Sequence, residues 1–288
     1  MKIGVLASGK LGYSILRKIS KSYQVSFVMT DRASSSIQYF CDTFNIPIFV
    51  GNPRDGHSDE FLSKISCDVL ISINYIFLIQ QNLIQIPKIV AFNIHGSLLP
   101  KYRGRTPHVW SIINNEKLTG ITAHLIDVGC DTGDIIEQFQ IIIKNNDTGA
   151  SILKKFNNKY YPLVESVLNK ITTNQLVTVP QDNSKATYFG KRTPDDGLID
   201  WEWQRERIYN WVRAQTFPYP GAFTFYLNNK VIIDWIELDD NGFDSITPNG
   251  TIVSKDPIRV KTSNGLVKVT KLRNTINDFS VNTKFENI

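Results

Sequence analysis

Residues 2–19, Lys2-Ile-Gly-Val-Leu-Ala-Ser-Gly-Lys-Leu-Gly-Tyr-Ser-Ile-Leu-Arg-Lys-Ile19, decide how the chain is read. Lys2 to Ala7 is an apolar run of strand length, and a glycine-rich turn follows it. Leu11, Ile15, Leu16 and Ile19 then recur at helical spacing. A strand running through such a turn into a helix is the first half of a βαβ unit. The pattern continues outward. Val25 to Thr30, Val69 to Ile73 and Ile89 to His95 read as further strands, and Ile37, Phe40, Cys41 and Phe44 carry a second helical stripe. Strands that are nearly continuously apolar, with helical crossovers between them, need cover on both faces. The expected fold is therefore α/β, a doubly wound domain with a mainly parallel sheet and helices on both faces.

Two more strands are expected at Gly120 to Asp127 and Ile135 to Ile143, and a long helix from Gly149 to about Thr172, opened by an Asp147-Thr148 cap. After Thr172 the composition shifts. Pro180-Gln-Asp-Asn-Ser184 reads as a polar linker and Arg192-Thr-Pro-Asp-Asp-Gly197 as a turn-rich segment. A short helix is expected around Arg205 to Ala214. Ala222 to Leu227, Lys230 to Leu238, Thr251 to Ser254, Ile258 to Thr262 and Leu266 to Leu272 then alternate with turns at Asn228-Asn229, Asn249-Gly250 and Asn264-Gly265. The expected division is a domain of residues 1–200 and a small, mostly antiparallel β domain of residues 201–288.

Composition narrows the classes. The 288 residues are 42% hydrophobic and 20% charged with both signs mixed, which excludes a chain disordered throughout. The first apolar run is broken by Gly, Ser and Lys before a signal-peptide core could form, and no eighteen-residue apolar stretch occurs, so a cytoplasmic protein without a membrane partner is expected. Cys41, Cys67 and Cys130 are odd in number and lack metal-ligand spacing, so reduced thiols and no metal are expected. A net charge of +5 is mildly basic without a clustered nucleic-acid face.

Two constellations carry chemistry. At Ser8-Gly9-Lys10 the turn can hold a phosphate, bind NAD with Asp31 on a ribose, or simply be a tight turn; Ala7 stands where a dinucleotide fingerprint has its first glycine. More specific is Phe92-Asn-Ile-His-Gly-Ser-Leu-Leu-Pro-Lys-Tyr-Arg-Gly104. Asn93 and His95 lie two apart in a strand, so a hydrogen-bond donor and a titratable imidazole share one face. A satisfied polar pair at a strand end is the plain alternative. Some thirty-five residues on, Asp127-Val-Gly-Cys-Asp131-Thr-Gly-Asp134-Ile can bring a carboxylate beside His95. His57, His108 and His124 read as surface, loop or strand residues.

In order and spacing, N-x-H-x-S-L-L-P-x-Y-R-G followed by D-x-G-x-D-x-G-D-I resembles the folate-dependent formyltransferases, over about residues 1–225 and most clearly 68–140. The resemblance implies a Rossmann-like sheet in the first domain, a catalytic trio of Asn93, His95 and Asp131, and 10-formyltetrahydrofolate as co-substrate held near Leu99, Asp127 and Asp134. Methionyl-tRNA formyltransferases share both motifs but carry a basic inserted loop after the second strand, where Thr30-Asp-Arg-Ala-Ser-Ser-Ser36 here runs straight into the next helix. Glycinamide ribonucleotide formyltransferases normally lack a C-terminal domain, and formyltetrahydrofolate hydrolases usually add an N-terminal regulatory one. Tyr188 to Trp201 and Phe217-Pro-Tyr-Pro-Gly-Ala-Phe223 look like segments of the sugar-nucleotide N-formyltransferases. That likeness implies a dTDP-linked 4-amino-4,6-dideoxyglucose as acceptor, for a cell-surface glycan such as O-antigen or lipopolysaccharide. Lys10 with the Ser8 and Gly9 backbone would then take its pyrophosphate, Phe217 and Tyr219 would stack on sugar or base, Arg103 would also bind the substrate, and the enzyme is expected to be a homodimer. The Pro-Tyr-Pro segment reads equally as a rigid packing loop. The readings left beside this one are a methionyl-tRNA formyltransferase, an NAD-dependent oxidoreductase and a non-catalytic nucleotide-binding protein.

Overall fold

The computed structural model describes residues 1–274 and 278–286. In chain order the elements are β1 (Lys2–Ala7), α1 (Gly9–Ile19), β2 (Gln24–Thr30), α2 (Ser35–Thr43), β3 (Ile48–Val50), α3 (Asp59–Leu62), β4 (Cys67–Ile73), α4 (Gln81–Ile84), β5 (Pro87–His95), β6 (Arg103–Gly104), α5 (Pro107–Ile113), β7 (Leu118–Leu125), β8 (Ile135–Ile142) and α6 (Gly149–Thr172). They continue with β9 (Tyr188–Phe189), α7 (Arg205–Gln215), β10 (Ala222–Tyr226), β11 (Asn229–Asp239), β12 (Ile252–Lys255), β13 (Ile258–Thr262) and β14 (Gly265–Leu272). The chain folds as two compact units. One comprises residues 1–104, 120–141 and 156–188; the other comprises 105–119, 142–155 and 189–288.

The first unit holds a seven-stranded sheet in the order β3-β2-β1-β4-β5-β7-β8. The ladders from β3 through β5 are parallel, and β7 runs antiparallel to β5. The α/β class and the mainly parallel sheet are as the periodicity predicts. Both faces are covered: Leu6, Phe27, Met29, Leu70 and Leu83 pack in one buried cluster, while Ile15, Leu16 and Ile19 bury the inner stripe of α1. The turn into α1 places Gly9 at φ +64°, the left-handed region in which a side chain is strained.

The second unit is built on the antiparallel sheet β10-β11-β14-β13-β12. Trp201, 2% exposed, stacks on Phe285 at 5.5 Å and donates its indole N–H to Thr224 Oγ1 (3.0 Å). The guanidinium of Arg192 lies between the rings of Trp110 (4.9 Å) and Trp211 (4.5 Å), and two indole faces stabilise one cation there. The predicted cap of α6 is present: the Ser151 N–H donates to Thr148 Oγ1 (3.1 Å), and Ser151 Oγ donates to Asp147 (2.7 Å). The hairpin between β10 and β11 turns on Leu227 and Asn228, with φ of +48° and +63°, rather than on Asn228-Asn229, because Tyr226 pairs with Asn229. Two positive φ angles in a two-residue loop match the right-handed twist of the strands. Among the described residues no helix is long and apolar enough to cross a membrane.

Candidate active site

The site forms at the C-terminal end of β5, where the parallel part of the sheet meets antiparallel β7. Alternation along β5 puts Asn93 and His95 on one face and Ile94 on the other. The β5–β7 register sets Asn93 opposite His124 and His95 opposite Thr122. His124 therefore enters the site from the neighbouring strand, so that a residue read as surface, loop or strand faces Asn93. Asn93 Nδ2 donates to His124 Nε2 (3.1 Å), whose Nδ1–H donates to the Leu125 carbonyl (2.8 Å). No spacing in the sequence announces this pair, because it depends on strand register.

Asp131 arrives on the loop between β7 and β8. Its Oδ2 lies 3.4 Å from His95 Nδ1 and accepts the Gly104 N–H (2.9 Å), and its Oδ1 lies 3.6 Å from His124 Nε2. The residue sits at φ +57°, a conformation Asp tolerates better than most. Two residues on, Gly133 is required: a Cβ there would stand 2.0 Å from the Leu125 carbonyl oxygen. Burial by itself would raise the Asp131 pKa, but the positive charge His95 can take up and the Gly104 N–H hold it well below the usual carboxylate range.

His95 is 7% exposed, and its Nε2–H donates to the Tyr102 carbonyl (2.8 Å). That bond leaves Nδ1, which faces Asp131, as the atom that gains or loses a proton. Burial pushes the imidazole pKa below its ordinary value, and the Asp131 charge and the Tyr102 carbonyl oppose that push. A carboxylate thus stands beside the nitrogen that would become positive. Such a pair can accept a proton from a nucleophile and hold it.

The remaining expected residues are placed as follows. Leu99 is buried; its N–H donates to Thr122 Oγ1 (3.2 Å) and its carbonyl accepts from Gln138 (2.9 Å). Asp127 is exposed and accepts from the Thr132 hydroxyl (2.7 Å), and Asp134 accepts from Thr178 (3.3 Å). In the β1–α1 turn the Ser8 N–H donates to Ile73 O (3.4 Å) and the Gly9 N–H to Ser34 Oγ (2.8 Å), so these two amides are already bonded, while Lys10 is exposed. Asp31 accepts from Ser34 Oγ (2.6 Å) and the Ala33 N–H (2.8 Å), one bond on each oxygen, which engages the carboxylate an NAD ribose would use. Arg103 is 1% exposed, with its guanidinium donating to Gln181, Asn183 and Tyr188. Its place is inside the protein. In the second unit, Phe217 is exposed, and the Tyr219 hydroxyl is bonded to His108 Nε2 (2.8 Å). Among the described residues no group of three or more His, Cys, Asp or Glu is placed to hold a metal ion.

The formyl transferase domain pattern matches residues 8–168, and the formyl transferase C-terminal domain matches residues 191–279. This chain belongs to the formyl transferase family. The formyltransferase is 36% identical over 268 residues to the bifunctional polymyxin resistance protein ArnA of Wigglesworthia glossinidia brevipalpis; the match takes in 90% of this chain but spans only 40% of that relative's length. Among solved structures, it resembles the sugar 3N-formyl transferase WlaRD, crystallised with dTDP and 5-N-formyl-THF (TM-score 0.71, 22% identity, 96% of this chain and 99% of that one). It also resembles an N-formyltransferase from Helicobacter canadensis in complex with folinic acid and dTDP-3-aminofucose (TM-score 0.74, 20% identity, 94% and 99%). A third likeness is to a 4-N formyltransferase from Francisella tularensis (TM-score 0.68, 24% identity, 81% and 96%). At these identities the three structures speak to the shared fold.

Proposed function

We propose that this formyltransferase moves a formyl group from 10-formyltetrahydrofolate to the amino group of a nucleotide-linked amino sugar, with dTDP-4-amino-4,6-dideoxyglucose as the acceptor. The observation that carries the chemistry is the cluster of Asn93, His95 and Asp131 at one strand end, with the Asp131 carboxylate 3.4 Å from His95 Nδ1. The amine attacks the formyl carbon, a C–N bond forms, and negative charge develops on the formyl oxygen as the nitrogen becomes positive. Asn93 donates an N–H to that oxygen. His95 takes the amine proton, directly or through water, and Asp131 stabilises the imidazolium so formed. The bond from carbon to N10 of the folate then breaks, N10 regains a proton, and tetrahydrofolate leaves.

Two features support a compact acceptor. β2 and α2 are joined by residues 31–34 alone, with no room for a basic insertion. Of the three solved structures it resembles, one is named a sugar 3N-formyl transferase and holds dTDP, one an N-formyltransferase and holds dTDP-3-aminofucose, and one a 4-N formyltransferase. With the Ser8 and Gly9 amides bonded internally, the diphosphate depends on the Lys10 ammonium at the start of α1. Leu99, Asp127 and Asp134 are kept as the folate side, Phe217 and Tyr219 as the stacking surface, and residues 1–200 and 201–288 as the catalytic and C-terminal domains. The same proposal includes a homodimer in the cytoplasm that supplies a cell-surface glycan.

The test is a panel of 4-amino and 3-amino sugar nucleotides with 10-formyltetrahydrofolate, read by folate absorbance. Turnover of a 4-amino sugar nucleotide is expected. Efficient formylation of initiator methionyl-tRNA with no turnover of any amino sugar nucleotide would replace this reading with the tRNA enzyme.

A further inference from the structure

The segment that reads as a polar linker, residues 180–184, reaches the catalytic loop. Gln181 Nε2 donates to two carbonyls of that loop, Asp131 O (2.9 Å) and Gly133 O (2.7 Å). The amide has only two N–H bonds, so both are spent on the turn that carries the carboxylate. Its Oε1 accepts from Arg103 Nε (3.2 Å) and Nη2 (2.7 Å). A guanidinium has no acceptor, so Arg103 dictates which end of the amide faces the loop. Arg103 is fixed in turn by Asn183 Oδ1 (2.8 Å), by the Tyr188 hydroxyl (2.5 Å) and by stacking over the Tyr188 ring (5.3 Å). The next residue, Gly104, gives its N–H to Asp131 Oδ2 (2.9 Å).

We infer that Gln181 is a positioning residue, which holds the backbone of the Asp131 loop and so sets the approach of the Asp131 carboxylate to the His95 ring, and that Arg103 acts through Gln181 and not on substrate. The left-handed conformation of Asp131 is strained and persists only where its surroundings impose it. Two hydrogen bonds to the flanking carbonyls and one to the carboxylate do so. Without the Gln181 amide the turn can relax, and the carboxylate then leaves a geometry in which a shift of about 1 Å costs about 100-fold in rate.

The inference rests on the formyl-transfer reading for its kinetic readout only, since the titration of His95 reports it without turnover. The titratable groups facing His95 are Asp131 and His124. Gln181→Met keeps the length and removes the amide. It is expected to lower kcat about tenfold or more with KM values changed less than about twofold, and to move the His95 titration in NMR downward, as Asp131→Asn does. In the Asp131→Asn background it should add less than about twofold. Gln181→Glu retains an acceptor for Arg103 but turns a carboxylate on the two carbonyls, and should match the methionine variant in kcat, while its added charge opposes the fall in the His95 titration. Should Gln181→Met fail to fold, Gln181→Glu carries the kinetic readout and Asn183→Ala, with smaller effects, carries both. A His95 titration left at the wild-type value, or kinetic losses that multiply with those of Asp131→Asn, would overturn the inference. If the wild-type protein formylates no amine tested, the proposed function fails, and the NMR shift alone decides the role of Gln181.

Discussion

Asn93 and His124 stand directly opposite each other on β5 and β7, and the amide of the first donates to Nε2 of the second at 3.1 Å. His124 can accept because its Nδ1–H is fixed on the Leu125 carbonyl. One N–H of Asn93 is thereby anchored and the plane of the amide is set. The other N–H is the one available to an oxyanion. The proposed oxyanion donor is thus oriented by a cross-strand neighbour, and the proposed base by a loop.

His95→Asn keeps a polar side chain and removes the titratable nitrogen. A fall in kcat of about 100-fold or more is expected, with KM for the folate within about twofold of wild type. Steady-state kinetics at saturating acceptor decide it, and turnover near wild type would remove His95 from the mechanism.

The pH dependence has a definite sign. A base must be neutral to act, so kcat rises with pH and levels off above the His95 pKa, which burial holds below 6.5. The Asp131 carboxylate raises that pKa, so Asp131→Asn should shift the acid limb to lower pH while lowering the plateau. Equal His95 values in the two proteins, by NMR titration, would contradict the pairing.

Lys10→Ala separates binding from chemistry. If its ammonium meets a diphosphate remote from the amine, KM for the sugar nucleotide should rise about tenfold, with a smaller change in kcat and folate affinity almost unchanged. An unaltered KM would move the diphosphate elsewhere.

His108 ties pH to stability. Burial lowers its pKa from 6.5 to about 4 in the folded protein, so between those values the unfolded chain binds the extra proton. Stability should be complete above pH 6.5 and fall as the pH drops towards 4, by up to about 3 kcal/mol. Urea melts at pH 7 and pH 4.5 should show a smaller difference for His108→Gln, which retains a polar partner for Tyr219.

Much of the fold was legible because its signals are local. Lys2–Ala7 and Ile258–Thr262 are strands with the limits their apolar runs suggest, and Gly149–Thr172 is one helix opened by its expected cap. β3 was not read, since Ile48–Val50 is three residues between Pro47 and Gly51. Asn93 and His95 were readable from alternation, and Asp131 from the motif that follows. His124 and Gln181 were not, because one enters by strand register and the other bonds to residues about fifty positions away. Arg103 looked like a substrate ligand because sequence shows a charge and not its burial.

The β10–β11 turn places Leu227, 64% exposed, at φ +48°. A leucine there keeps its side chain in water and bears the left-handed strain, so this corner of the molecule lies below the stability its backbone would permit. Leu227→Asn, a residue suited to that conformation, should raise the unfolding midpoint by an amount corresponding to about 1 kcal/mol, since the left-handed region disfavours leucine by that order. Thermal melts of the two proteins measure it. An edit of this kind alters only a solvent-facing hairpin, which makes position 227 a practical anchor for hardening the protein before its catalytic residues are varied.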